Sequence, residues 1–229
     1  MSDSHVNTER LTAAFTLSVI GGGLDIYTFL FRGEVFANAV TGNMVLFGLH
    51  LAQQEWRLCG KYLLPIFFYA LGVLAAELIS HRAPISRRWN WHQLVIALEF
   101  LCLVPVVFIP FGESDYAVNA LISFVCALQV QTFRRVHGLP FASTMCTGSL
   151  RSGAEAVFRA WTDRNREELH KAFHYFGVIA FFIFGAAAGA LLLKTFGHYM
   201  LLLAPAGLAA VFFLIGPGAG RLSLPGMKK

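Results

Sequence analysis

The chain has 229 residues, of which 56% are apolar and only 14% charged, with 22 phenylalanines and a mean hydropathy of +0.60. A soluble domain carries about 25% charged residues, so this composition excludes a protein that covers its own surface with charge and requires lipid around it. The net charge is +5. The Lys and Arg stand between apolar runs, where they set topology and meet anionic headgroups. No basic face with stacking aromatics stands apart from those runs, which argues against a nucleic-acid partner.

Residues Met1 to Arg10 include Asp3 and Glu9 and lack the basic start and small-residue cleavage site of a signal peptide, so the first helix is expected to be retained. A spanning helix needs about 20 mostly apolar residues. Six segments qualify: Leu11–Phe31, Tyr62–Ser80, His92–Phe111, Tyr116–Phe133, Ala172–Leu193 and His198–Gly216. Punctuation closes them at His81-Arg82-Ala83-Pro84, Gly112-Glu113-Ser114-Asp115 and Gly216-Pro217-Gly218.

Two segments are ambiguous. Phe36–Ala52 has 17 residues without a formal charge, at the short limit for crossing. Phe141–Trp161 carries Arg151, Glu155 and Arg159 at i, i+4, i+8, one stripe of a helix, with Arg151 and Glu155 expected to pair locally. Both read as short or re-entrant helices rather than lipid-facing spans. With six spans and a cytoplasmic N-terminus, fourteen Lys and Arg lie inside against four outside, as the positive-inside rule prefers. If both ambiguous segments cross, giving eight spans, the split is ten to seven. Seven spans with an external N-terminus also give fourteen to four, so a cytoplasmic C-terminus is common to the two better solutions.

The expected fold is therefore an all-α integral membrane protein of six transmembrane helices, with seven or eight as alternatives. It forms one domain over residues 1–229, with related halves at 11–111 and 116–216 and a cytoplasmic tail at 217–229. The relation rests on Leu24-Asp25-Ile26-Tyr27-Thr28-Phe29 before Phe36-Ala37 and Thr41-Gly42-Asn43, against Leu128-Gln129-Val130-Gln131-Thr132-Phe133 before Phe141-Ala142 and Thr147-Gly148-Ser149. A helix with a small-residue face follows each, at Gly72/Ala76 and at Gly185/Gly189.

The stretch Gly23-Leu24-Asp25, ten residues, Phe36-Ala37-Asn38, two residues, Thr41-Gly42-Asn43 resembles the signature of the YoaK-type bacterial membrane proteins, whose domain has no established function. The similarity runs from Leu11 to about Gly216 and implies a small multi-span protein of the bacterial inner (cytoplasmic) membrane. Ser149 departs from the pattern, which has Asn there, and puts a carboxamide role at that position in doubt.

The residues themselves suggest more. A carboxylate within a span costs about 2.5–3.5 kcal/mol on insertion scales and usually faces a bundle interior or a wet cavity. Asp25 is such a group, unless it pairs with Arg32. Gly21-Gly22-Gly23 before it would loosen the helix. Asn38, Thr41, Gly42 and Asn43, with Gln129, Gln131, Thr147, Gly148 and Ser149, could hold a small polar solute or ion between inverted halves; equally, such residues stitch membrane helices together.

Secondary candidates are Arg151, Glu155 and Glu99, the last either a buried structural partner or a proton-linked group. Glu77 lies near a helix end and could snorkel. His170 and His174 lack a third ligand, and Cys59, Cys102, Cys126 and Cys146 lack CxxC spacing, so no metal or cofactor is expected. No GxGxxG, Walker A or GxSxG motif occurs, and nothing pairs a nucleophile with a base. The expectation is a small secondary transporter or permease and not an enzyme. The alternative is a membrane protein that assembles with partners, a homo-oligomer included.

Overall fold

The computed structural model describes residues 2–82, 91–112, 115–136, 139–140 and 146–215. In chain order these form α1 (Ser2–Phe31), α2 (Val40–Ala52), α3 (Trp56–Arg82), α4 (Trp91–Val106) and α5 (Asp115–Thr132). A two-residue antiparallel ladder follows, β1 (Arg135–Val136) with β2 (Leu139–Pro140). Then come α6 (Cys146–Asp163), α7 (Arg166–Phe196), a 3-10 helix (Gly197–Leu202) and α8 (Leu203–Ile215). The protein is thus an all-helical membrane protein in every element of consequence. Phe141-Ala142, position 144, Ala83-Pro84, Glu113-Ser114, Gly216-Pro217-Gly218 and the tail lie outside the described residues.

Among the described residues, three stretches, Leu11–Phe31, Trp56–Arg82 and Arg166–Ile215, are long and apolar enough to cross a bilayer; Val40–Ala52 and Trp91–Val106 are shorter apolar helices. Phe67, Leu74, Leu101, Ile183, Phe184, Leu191 and Phe213 are exposed. In water that would be a liability, but it is the outer coat a lipid-embedded bundle needs. The interior is built on α1 and α5, where Leu17, Leu24 and Tyr27 of one and Ile122, Val125 and Leu128 of the other are fully or nearly fully buried. Helix α1 packs on α7 and α8, and α5 packs on α3 and α4; α2 lies along α3 and α6 along α7.

Several element ends differ from expectation for local reasons. Helix α1 starts at Ser2, nine residues before the apolar run. Helix α4 stops at Val106 rather than at Phe111: Pro105 lacks the N–H that would continue the ladder, and the chain tightens into three-residue turns, Phe108 N–H to Pro105 O at 3.0 Å and Ile109 N–H to Val106 O at 3.2 Å. His198–Gly216 divides into the 3-10 turn and α8, whose first turn holds Pro205. Asn165 caps α7 by accepting from the Glu167 N–H at 2.9 Å. Gly21-Gly22-Gly23 does not loosen α1, which runs through unbroken; Gly22 instead lets α7 close in, because a Cβ there would stand 2.1 Å from the Phe182 carbonyl oxygen.

Candidate functional site

After Phe31 the chain turns back on itself. Gly33 and Glu34 both adopt positive φ, 85° and 59°, the reversal that a glycine makes cheap. Val35 and Ala37 are then fully buried beside α1. The Asn38 N–H donates to Asp25 Oδ1 at 2.7 Å, and Asn38 Nδ2 donates to the Gly21 carbonyl at 3.2 Å. Residue 38 thus stands level with residues 21–25 of α1, roughly 9–15 Å back from the helix end at 1.5 Å per residue. From there α2 climbs again for 13 residues, about 20 Å, to the start of α3. Tyr62 there lies near Glu34 and Tyr116.

Asp25 is buried and accepts rather than ion-pairs: the backbone N–H groups of Ala37, Asn38 and Ala39 all face its carboxylate. These are the donors at the start of α2, where the helix dipole also favours negative charge. The predicted alternative, a pair with Arg32, does not form. Arg32 points the other way, to Asp115 Oδ1 at 2.7 Å, to the Pro110 and Ile109 carbonyls at 2.9 and 2.8 Å, and to the Tyr27 hydroxyl at 3.1 Å. Those carbonyls belong to the loop that follows α4, three and four residues past Val106, so a fully buried guanidinium ties that loop and the start of α5 to the end of α1.

Thr41-Gly42-Asn43 opens α2 and Thr147-Gly148-Ser149 opens α6 at the same register, the second to fourth residues of each helix. Thr41, Thr147 and Gly148 are exposed, Gly42 half-buried, and Asn43 and Ser149 buried. Asn43 is committed to its own loop: its Oδ1 accepts from the Phe36 N–H at 3.1 Å and its Nδ2 donates to the Phe36 carbonyl at 2.6 Å. That amide holds the descending strand against α2.

Cys146, the first residue of α6, lies within electrostatic reach of Asp25. So do Cys126 of α5 and Tyr69 of α3. Asn38 also lies against the Cys126 thiol, and Glu99 of α4 approaches it from another side. Gln129 of α5 faces Glu99.

The centre therefore gathers Asp25, Asn38, Glu99 and Gln129 from the predicted set and adds Tyr69, Cys126 and Cys146. Gln131 is not among them: it donates to Glu77 Oε1 near the far end of α3, with Arg134 3.6 Å from the same oxygen, so Glu77 is bonded there rather than snorkelling. Arg151 does not pair with Glu155, whose Oε1 takes Arg159 Nη2 at 2.8 Å instead; all three charges are exposed along α6. The cysteines are free thiols.

Arg32 is the buried polar residue that the sequence reading missed as a clasp. A lone arginine ending an apolar run, with an aspartate opening α5, was the available signal. An apolar crevice of about 80 Å³ lined by Gly23, Gly185, Gly189, Met200, Leu201 and Ala204 holds none of the candidate polar residues.

A helical membrane protein with a short helix starting beside a buried carboxylate, and a second short helix whose first residue lies within electrostatic reach of it, is the class that this geometry defines. The chain belongs to the family described as "Protein of unknown function (DUF1275)", whose model matches residues 13–215. It is similar to the UPF0700 transmembrane protein YoaK of Bacillus subtilis (strain 168), 26% identical over 151 residues, which cover 65% of this chain and 67% of that one. The resemblance drawn from Gly23 to Asn43 is borne out by both. No solved structure matches.

Proposed function

We propose that the protein is a small secondary transporter or permease for a small polar solute or ion, built as two inverted halves of three spans and one half-helix each, with its path at the seam between them. The observation that carries this is the return of residues 33–39 to the middle of α1, so that α2 starts at half depth beside Asp25 while Cys146 brings the start of α6 near the same carboxylate. Half-helices starting at the midplane, at the interface of inverted repeats, are how many transporters build a polar site without exposing backbone to lipid.

The packing supports the repeat. Exchanging α1 with α5, α2 with α6, α3 with α7 and α4 with α8 turns the α1–α7 contact into α5–α3, α2–α3 into α6–α7, and α4–α5 into α8–α1. At residue level, Gly72 meets the Phe124 carbonyl as Gly185 meets that of Val19. Six spans are supported by the ends that meet: Arg32 at the end of α1 joins Ile109 and Pro110 after α4 and Asp115 at the start of α5, and Phe111 meets His198 between α7 and α8 edge-on, at 5.6 Å. With fourteen basic residues on the other side, that end faces outward and the C-terminus is cytoplasmic in the inner membrane.

The test is flux into proteoliposomes, using glycerol, urea and ammonium chloride in light-scattering assays and sodium, potassium and chloride indicators for ions. The reading expects at least one to exceed protein-free vesicles and to fall at least tenfold in Asp25→Asn. Flux equal to empty vesicles throughout contradicts it.

A second reading, assembly with membrane partners or with a further copy of the chain, is favoured by the exposed α6 surface. Arg151, Glu155 and Arg159 run along one side of it and Trp161, 80% exposed, along another. Under that reading the same vesicles carry no flux, and cross-linking through α6 yields a defined complex.

A further inference from the structure

Glu99 lies midway along α4 with none of its surface exposed, and neither carboxylate oxygen has a hydrogen-bond partner. No ion pair among the described residues involves it. Asp25 is handled in the opposite way, with three backbone N–H groups turned towards it. A buried carboxylate with no cation beside it and a single neutral amide, Gln129, facing it is a costly arrangement, and the group escapes that cost by taking up a proton.

The surroundings supply no other remedy. Helix α8, which packs on α4, contains no ionisable residue between Leu203 and Ile215. From α5 the facing groups are the Gln129 amide and the Cys126 thiol, and on α4 itself the Cys102 thiol. From α3, Tyr69 lies near Cys126 and Asp25, and Glu77 is occupied by Gln131 and Arg134. Arg32, the buried cation, is taken by Asp115. Four further buried oxygens, Asn38 Oδ1, Asn119 Oδ1, Ser123 Oγ and Thr132 Oγ1, also lack hydrogen-bond partners among the described residues, so the interior holds polar capacity that the packing leaves unused.

We propose that Glu99 is the site of one exchangeable proton, and that this proton is the coupling ion of the path between the halves. The coupling rests on the transport reading; the protonation does not. The Glu99 O–H bond forms with a proton from water on one side of the membrane and breaks to water on the other, so nothing else is consumed. The Gln129 amide, which faces Glu99, carries both a donor for the carboxylate and an acceptor for the O–H of the neutral acid.

Infrared spectroscopy of the full chain in lipid nanodiscs at pH 7 tests this. The wild type is expected to show a protonated carboxylic C=O band that Glu99→Gln removes, that shifts in D₂O, and that disappears reversibly as the pH is raised. Glu99→Asp, which keeps the acid, should retain a displaced band even if the Gln variant folds poorly. A band that is absent, fails to shift in D₂O, or is bleached at constant pH by sodium in place of choline overturns the proton site. An exchangeable band in a protein that carries no solute in any flux assay keeps the site and overturns the coupling.

Discussion

Arg32 makes four hydrogen bonds from one guanidinium, to Tyr27, Pro110, Ile109 and Asp115, and its own carbonyl accepts from Asn119 Nδ2 at 2.7 Å. The ring of Phe111 closes over it, 4.5 Å from centroid to guanidinium carbon. Removing one member of a buried pair leaves the other uncompensated, at a cost of about 3–5 kcal/mol. Arg32→Ala should therefore lower thermal stability in detergent by that order, and Arg32→Lys should recover only part of it, since an ammonium cannot present the planar fork. Equal melting of the alanine variant and wild type would show the clasp to be dispensable. At this scale the sequence revealed which residues were unusual but not their partners. Asp25 and Arg32 stand seven apart on one helix, which suggested a pair; only the fold brings Asp115 to one and the start of α2 to the other. Asn43 read equally well as ligand or stitch, and in the fold both ends of its amide bond the Phe36 backbone.

Helix pairs in lipid gain little from hydrophobicity and depend on close approach. Gly185 sits where a Cβ would stand 2.1 Å from the Val19 carbonyl oxygen, and Gly72 where it would stand 2.4 Å from that of Phe124. Backbone lies on both sides, so the helices must separate to admit a methyl group. Gly185→Ala and Gly72→Ala should each destabilise by about 1–3 kcal/mol. Gly48→Ala, in a helical position with nothing within 4 Å of the added Cβ, should be neutral or gain about 0.4–1 kcal/mol. Thermal unfolding of the three variants checks this, and a Gly185→Ala protein as stable as the Gly48 control would contradict the packing account. The small-residue faces at Gly72/Ala76 and Gly185/Gly189 were legible from their spacing alone. The end of α4 was not, because Pro105 could equally have kinked a longer helix; in the fold the chain after it tightens into three-residue turns, and Arg32 holds the Ile109 and Pro110 carbonyls beyond them.

For the whole molecule, composition alone was enough to establish a helical membrane protein, because 14% charge cannot coat a bundle of this size. Charge counting narrowed the topology without choosing between six and seven spans. The proposed six-span topology draws on where α2 begins: a helix that starts beside Asp25 and ends by Tyr62, near Glu34 and Tyr116, would leave and return on one side. The matching argument for α6 rests on Cys146 lying near Asp25 while the helix runs to the start of α7. If the halves are inverted, the turn after α2 and the turn after α6 lie on opposite faces of the membrane. With the four native cysteines replaced, single cysteines at the exposed positions Glu55 and Arg164 can be labelled by a membrane-impermeant maleimide in intact cells and in inside-out vesicles. The account predicts labelling of position 55 only in cells and of position 164 only in inverted vesicles; labelling of both from the same side would contradict it.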